Sequence, residues 1–212
     1  MKSNLLQVVS VASFLAALVT GSRALPKSVL DSCPSAEEVS STILTLNGKE
    51  ILHQTFTCPD AIFTEGAPSR SLTTLRERSS LEKRSFIECD FTMPPPVCQC
   101  DAQYQCGCFQ GDVAPAGFDC TQLVNSVTGA NKGSLTFMVP SNGLQVLTLR
   151  TCSLSFMNLQ DEALDFCWDS LNSIGQQAFN QCVIDDSDRV VGGTCNPTNG
   201  QYRVTLGPVV VA

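Results

Sequence analysis

Lys83 and Arg84 stand side by side in the polar string Leu81-Glu82-Lys83-Arg84-Ser85, and the chemistry they invite is proteolysis. Kexin-type proteases of the secretory pathway cut after Lys-Arg pairs in exposed chain, so such a protease is the one partner these residues predict. The second chemistry is thiol oxidation. Cys33 and Cys58 precede the pair; Cys89, Cys98, Cys100, Cys106, Cys108, Cys120, Cys152, Cys167, Cys182 and Cys195 follow it. Two and ten are both even, so each piece can close its own disulfides. Parity therefore predicts a Cys33–Cys58 bridge before the cut and five bridges after it, whose connectivity spacing alone leaves open.

Cys98-Gln99-Cys100 and Cys106-Gly107-Cys108 raise a thiolate metal site for zinc or copper(I). Such sites belong to reducing compartments, and cysteines at i and i+2 of a strand share one face, ready to bridge neighbouring elements. Structural disulfides are the preferred reading, with no metal and no cofactor. The single histidine, His53, lies before Lys83-Arg84, so the released piece lacks a Ser-His or Cys-His mechanism. Asp161, Glu162, Asp165 and Asp169 could supply a carboxylate pair but read better as the solvated flank of a helix. Asp185-Asp186-Ser187-Asp188 reads as a solvated loop, Trp168 as core, and Asn196 is barred from glycosylation by Pro197. No catalytic residue is assigned, and the reading is a protein that is not an enzyme.

The segments that must carry these residues divide the chain in three. Residues 1–24 read as a signal peptide: Lys2, an apolar run from Leu5 to Val19, and small residues Ser22 and Ala24 before a cleavage site after Ala24. The run is shorter than the roughly 20 residues a membrane span needs, so no membrane anchor is expected and the destination is extracellular. Residues 25–84 read as a loosely structured pro-segment ending in Lys83-Arg84, with a Ser-, Thr- and charge-rich stretch from Thr64 to Ser80. Residues 85–212 are the mature domain. It carries twelve acidic and four basic residues, a charge unsuited to nucleic acid or anionic lipid.

Within the mature domain, Val97–Asp101 and Tyr104–Gln110 alternate as short strands. Cys120, Leu123, Val124 and Val127 fall at i, i+3, i+4 and i+7 of a helix from Asp119 to Thr128, with Asp119 as N-cap. Leu135, Phe137 and Val139 alternate before Pro140-Ser141-Asn142-Gly143, and Leu144, Val146 and Thr148 after it, which predicts a hairpin. A second helix is expected from Asp161 to Cys182 on the stripe Leu164, Cys167, Trp168, Leu171, Ile174, Gly175, Ala178 and Cys182. After a loop containing Gly192-Gly193 and Asn199-Gly200, Tyr202, Val204 and Leu206 alternate as a last strand. The order β-α-β-β-α-β predicts an α+β fold, a disulfide-rich α/β sandwich with a four-stranded antiparallel sheet and two helices on one face.

The stretch from Cys120-x-x-Leu123 through Gly133-Ser134-Leu135-Thr136-Phe137-x-Val139-Pro140 to Thr151-Cys152-x-x-x-Phe156-x-Asn158 resembles a pattern of small secreted cysteine-rich proteins of fungi. Cys167, Cys182, Cys195 and Gly200-Gln201-Tyr202-Arg203-Val204 extend the resemblance over about residues 118–208. Members are similar to the virally encoded killer toxin subunits of smut fungi, kexin-released α/β sandwiches, and many are candidate effectors of plant-associated fungi. The resemblance implies an effector or killer-toxin-like protein that binds a host or competitor target outside the producing cell, the host apoplast included. The pattern carries no catalytic residues, and residues 89–108 have no counterpart in it. Two other classes compete. A secreted protease inhibitor or carbohydrate-binding module would present a rigid loop such as Met93-Pro94-Pro95-Pro96 or Pro140-Ser141-Asn142-Gly143, and a hydrolase would converge two carboxylates in a cleft.

Overall fold

The computed structural model describes residues 24–25, 30, 33–59, 97–100, 103–127, 136–183 and 190–211. Their largest layer is a seven-stranded antiparallel sheet, ordered β2-β3-β7-β8-β11-β10-β5. Its strands are β2 (Glu37–Leu46), β3 (Lys49–Thr57), β5 (Tyr104–Gln110), β7 (Gly143–Leu149), β8 (Cys152–Asn158), β10 (Val190–Pro197) and β11 (Tyr202–Pro208). A three-stranded sheet sets β9 (Leu164–Cys167) between β4 (Val97–Gln99) and β6 (Thr136–Val139), and β1 (Ala24–Leu25) pairs with β12 (Val210–Val211). The described helices are α1 (Gly117–Val127) and α2 (Trp168–Cys182).

The expected four-stranded sheet beneath two helices is thus overturned by a mostly β architecture, and each discrepancy has a physical cause. The pro-segment read as loosely structured supplies β2 and β3, joined at Asn47-Gly48, both at positive φ (48° and 74°). That is the backbone a two-residue hairpin turn demands. Cys152–Asn158 is a central strand buried along its whole length. Its Cys152, Leu154 and Phe156 enter the main core. Ser153 and Ser155, on the opposite face, donate to the carbonyls of Gly207 and Thr205 at 3.1 and 3.4 Å. Gly192-Gly193, expected in a loop, lies within β10, where a Cβ on Gly193 would sit 2.8 Å from the Cys182 sulfur.

The second helix starts at Trp168 and not at Asp161. Leu164 to Cys167 are buried on both faces as β9, so a short run that fits a helical stripe is taken by a strand between two neighbours. The turn at Pro140-Ser141-Asn142-Gly143 forms, with the Gly143 amide donating to the Pro140 carbonyl at 2.9 Å. Its two arms diverge: β6 pairs with β9, and β7 with β3 and β8. Asp119 is no N-cap. It lies in the first turn of α1, and its carboxylate accepts from the Thr151 hydroxyl at 2.7 Å and the Thr151 amide at 3.3 Å, clamping the β7–β8 turn.

The main core forms where α1 and α2 cover the sheet. Leu123, Val124 and Val127 meet Leu171, Ile174 and Ala178 above Leu147, Leu154, Phe156, Tyr202, Val204 and Leu206. A smaller cluster joins Cys33, Phe56, Cys58, Leu144, Val146 and Met157.

Candidate functional site: the seam between the N-terminal hairpin and the stapled sheet

Five disulfides are described, Cys33–Cys58, Cys100–Cys167, Cys106–Cys195, Cys108–Cys182 and Cys120–Cys152, and Cys98 lies in β4 opposite Asp165 of β9. Cys106 and Cys108, two residues apart on β5, reach the facing strand β10 and the last turn of α2. Cys120–Cys152 ties α1 to β8, and Cys100–Cys167 ties the end of β4 to β9. No described cysteine is free, and no described group of three or more His, Cys, Asp or Glu side chains is arranged to hold a metal ion. Cys89 lies outside the described residues. Lys83 and Arg84 also lie outside them, as do Met93-Pro94-Pro95-Pro96 and Asp185-Asp186-Ser187-Asp188.

The structure brings the two sides of Lys83-Arg84 into one sheet. Strand β3 pairs with β7 antiparallel through six opposed residues, from Leu52↔Thr148 to Thr57↔Gly143, and the Cys58 amide extends the ladder by donating to the Asn142 carbonyl at 3.0 Å. Alternation puts hairpin side chains on both faces. Leu46 and Ile51 enter the main core beneath the helices, and Phe56, fully buried, packs on the other face with Leu144, Val146 and Met157. At the hairpin tip the Asn47 side-chain amide donates to the Asn125 carbonyl of α1 at 3.3 Å. The outer strand β2 is exposed along most of its length, with Val39 and Ile43 turned to solvent.

His53 sits in this seam. The Gln145 side chain donates through Nε2 to the Met138 carbonyl at 2.9 Å, which turns its Oε1 toward His53 Nε2, 3.3 Å away. An amide oxygen only accepts, so His53 carries its proton on Nε2. Desolvation lowers the imidazole pKa below its ordinary value, and the bond to Gln145 partly opposes that shift. His53 therefore joins β3 to β7 and, through Gln145, to β6. Its hydrogen-bond partner is an amide, which gives it no nucleophile to activate.

The remaining predicted residues scatter. Asp161 and Glu162 are exposed ahead of β9, Asp165 is buried within β9, and Asp169 is exposed in the first turn of α2; they do not share a helix flank. Trp168 packs half-buried against Phe137, ring centroids 4.2 Å apart. In the Pro140 turn, Ser141 and Asn142 are half-buried, and the Ser141 hydroxyl donates to the Gln160 carbonyl at 3.1 Å, so little of that loop is free to insert elsewhere. Ala24 lies in β1, opposite Val211. No described helix is long and apolar enough to cross a membrane.

The seam was missed in the sequence although it carried a signal. Asn47-Gly48 lies between Thr42-Ile43-Leu44-Thr45-Leu46 and Lys49-Glu50-Ile51-Leu52, and Asn-Gly between two such runs marks a two-residue hairpin. Which strand that hairpin joins is not written locally, since β3 and β7 are about ninety residues apart in the chain. Compared with known proteins, the chain matches no family model and no curated relative. What the structure defines is a mostly β, disulfide-rich protein.

Proposed function

We propose that this is a secreted, kexin-processed, cysteine-rich effector or killer-toxin-like protein that acts on a host or competitor outside the producing cell by binding and not by catalysis. The observation that supports it best is the distribution of disulfides about Lys83-Arg84. Cys33 and Cys58 satisfy each other, so cleavage after Arg84 severs no bridge and leaves no thiol unpaired before the cut. Bridges of this density belong to oxidising compartments, which agrees with the signal-peptide pattern of residues 1–24.

Mass spectrometry of culture fluid tests the processing: a peptide beginning at Ser85 is expected, and intact chains that start at Leu25 and continue uncut past Arg84 into the rest of the sequence would refute it. The purified product is then applied to competitor cells and host tissue, where growth inhibition or a tissue response is expected. Turnover of glycan or peptide substrates, abolished by removing one carboxylate, would overturn the binding reading.

A further inference from the structure

We propose that the hairpin β2–β3 is not discarded when the chain is cut, but stays docked on β7 as a non-covalent second chain, so that the secreted particle has two chains. The inference rests on the processing reading above. Its premise is that the hairpin is built into both faces of the sheet: Leu46 and Ile51 in the main core, Phe56 in the second cluster, and a six-pair ladder on the edge of β7. Removing it would expose these side chains together with Leu144 and Val146, and would leave β7 with a row of unpaired backbone groups. An open edge of this kind is a template for another strand, and here it would stand beside the newly bared side chains of Leu144 and Val146. The occupant that fits the edge is the hairpin already on it, held in its own shape by Cys33–Cys58.

The same cysteines specify that the docking is not covalent. Before Arg84 the chain has only Cys33 and Cys58, and these are joined to each other, so no cysteine remains to reach across the cut. The opposite flank contrasts with this: Cys106–Cys195 and Cys108–Cys182 lock edge strand β5 to β10 and α2. One edge of the sheet is stapled, and the other is held by packing and hydrogen bonds alone.

The test uses the full secreted chain, and in parallel a chain in which residues 81–84 are replaced by the recognition sequence of a site-specific protease. If the natural chain proves uncut at Arg84, the processing reading fails while the second chain still tests retention. After cutting, both fragments are expected to co-elute in size exclusion at micromolar concentration, to separate in denaturing gels without reductant, and to keep the β7 amides protected from hydrogen exchange. Phe56→Ala is expected to weaken the pair by about a hundredfold or more. Should that variant fail to accumulate, the exchange protection of wild-type β7 before and after the cut decides the matter alone. The proposal is overturned if the C-terminal fragment elutes alone, if it aggregates and leaves the N-terminal fragment in solution, if β7 loses protection on cutting, or if the fragments part only with reductant.

Discussion

Truncating Phe56 in the intact chain discriminates most sharply between a hairpin that belongs to the fold and a leader attached to it. The Phe56 side chain is fully buried against Leu144, Val146, Met157 and the Cys33–Cys58 bridge. Phe→Ala changes in cores cost about 3–5 kcal/mol, as lost transfer energy plus the cavity left behind. Met157 can lean into part of the void, whereas the disulfide cannot, which places the expected loss near 3–4 kcal/mol. At about 2–4 °C per kcal/mol for a chain of this size, the main melting transition should fall by roughly 10 °C. Ile43→Ala is the control: its side chain is 61% exposed on outer strand β2, and the change should stay within about 1 kcal/mol. Differential scanning calorimetry of the two variants beside wild type reads both numbers. An unchanged main transition in Phe56→Ala, or a loss confined to a separate minor transition, would refute the claim that hairpin and sheet form one cooperative unit.

Replacing both Cys33 and Cys58 by alanine opens a loop of separation 25, and the chain-entropy relation gives a loss of about 3.5 kcal/mol, measurable as a shift in the denaturant midpoint of the uncut chain. His53 has a folded pKa below its ordinary 6.5; between the two values the unfolded chain binds more protons than the fold. Stability therefore declines as pH falls below about 6.5, and denaturation series of His53→Gln should lose that portion of the decline. Asp119, whose carboxyl is held below its ordinary value chiefly by the Thr151 hydroxyl, adds stability that is lost only at more acid pH. A Cβ on Gly192 would collide with the Leu206 carbonyl and the Phe109 ring, whereas one on Gly107 meets nothing within 4 Å. Gly192→Ala should accordingly cost several kcal/mol in the same assay, and Gly107→Ala about 1 kcal/mol or less in either direction. Leu52 and Thr148 face each other across the seam, at the Cβ separation opposed strands provide; Leu52→Cys with Thr148→Cys should lock the hairpin, and activity that survives the lock shows release is not required.

What could be read from the sequence was local. Cys120, Leu123, Val124 and Val127 give α1 by their spacing, the stripe from Leu171 to Cys182 gives most of α2, and Tyr202, Val204 and Leu206 mark β11 by alternation. What misled was residue type used in an unusual way. Gly192-Gly193 looks like a turn, but these glycines sit in β10 because a backbone carbonyl, a ring and a disulfide press on it. Leu164 and Cys167 continue the helical stripe by number, yet a four-residue strand buried on both faces has no periodicity to set it apart from a helix. The candidate site was out of reach for another reason. Asn47-Gly48 predicts a hairpin, but pairing that hairpin with β7 is a contact between distant segments, decided by which exposed edge its apolar faces fit.

The placement of the disulfides makes the seam more than an accident of topology. A leader needed only as a spacer would have no cause to carry Leu46, Ile51 and Phe56 into two separate clusters, because burying each contributes about 1.5–3 kcal/mol that a spacer does not require. A permanent part of the domain would gain from a bridge across β3 and β7 like those that hold β5. The chain has neither arrangement. Its two N-terminal cysteines are spent on each other, giving the hairpin a fixed shape of its own, while the β3–β7 ladder and His53–Gln145 hold it to the sheet by reversible contacts. Because burial lowers the His53 pKa, acidification is expected to weaken this edge, while the four described bridges on the far side of Lys83-Arg84 are untouched. The sheet therefore has one edge locked by disulfides and one held by reversible contacts alone.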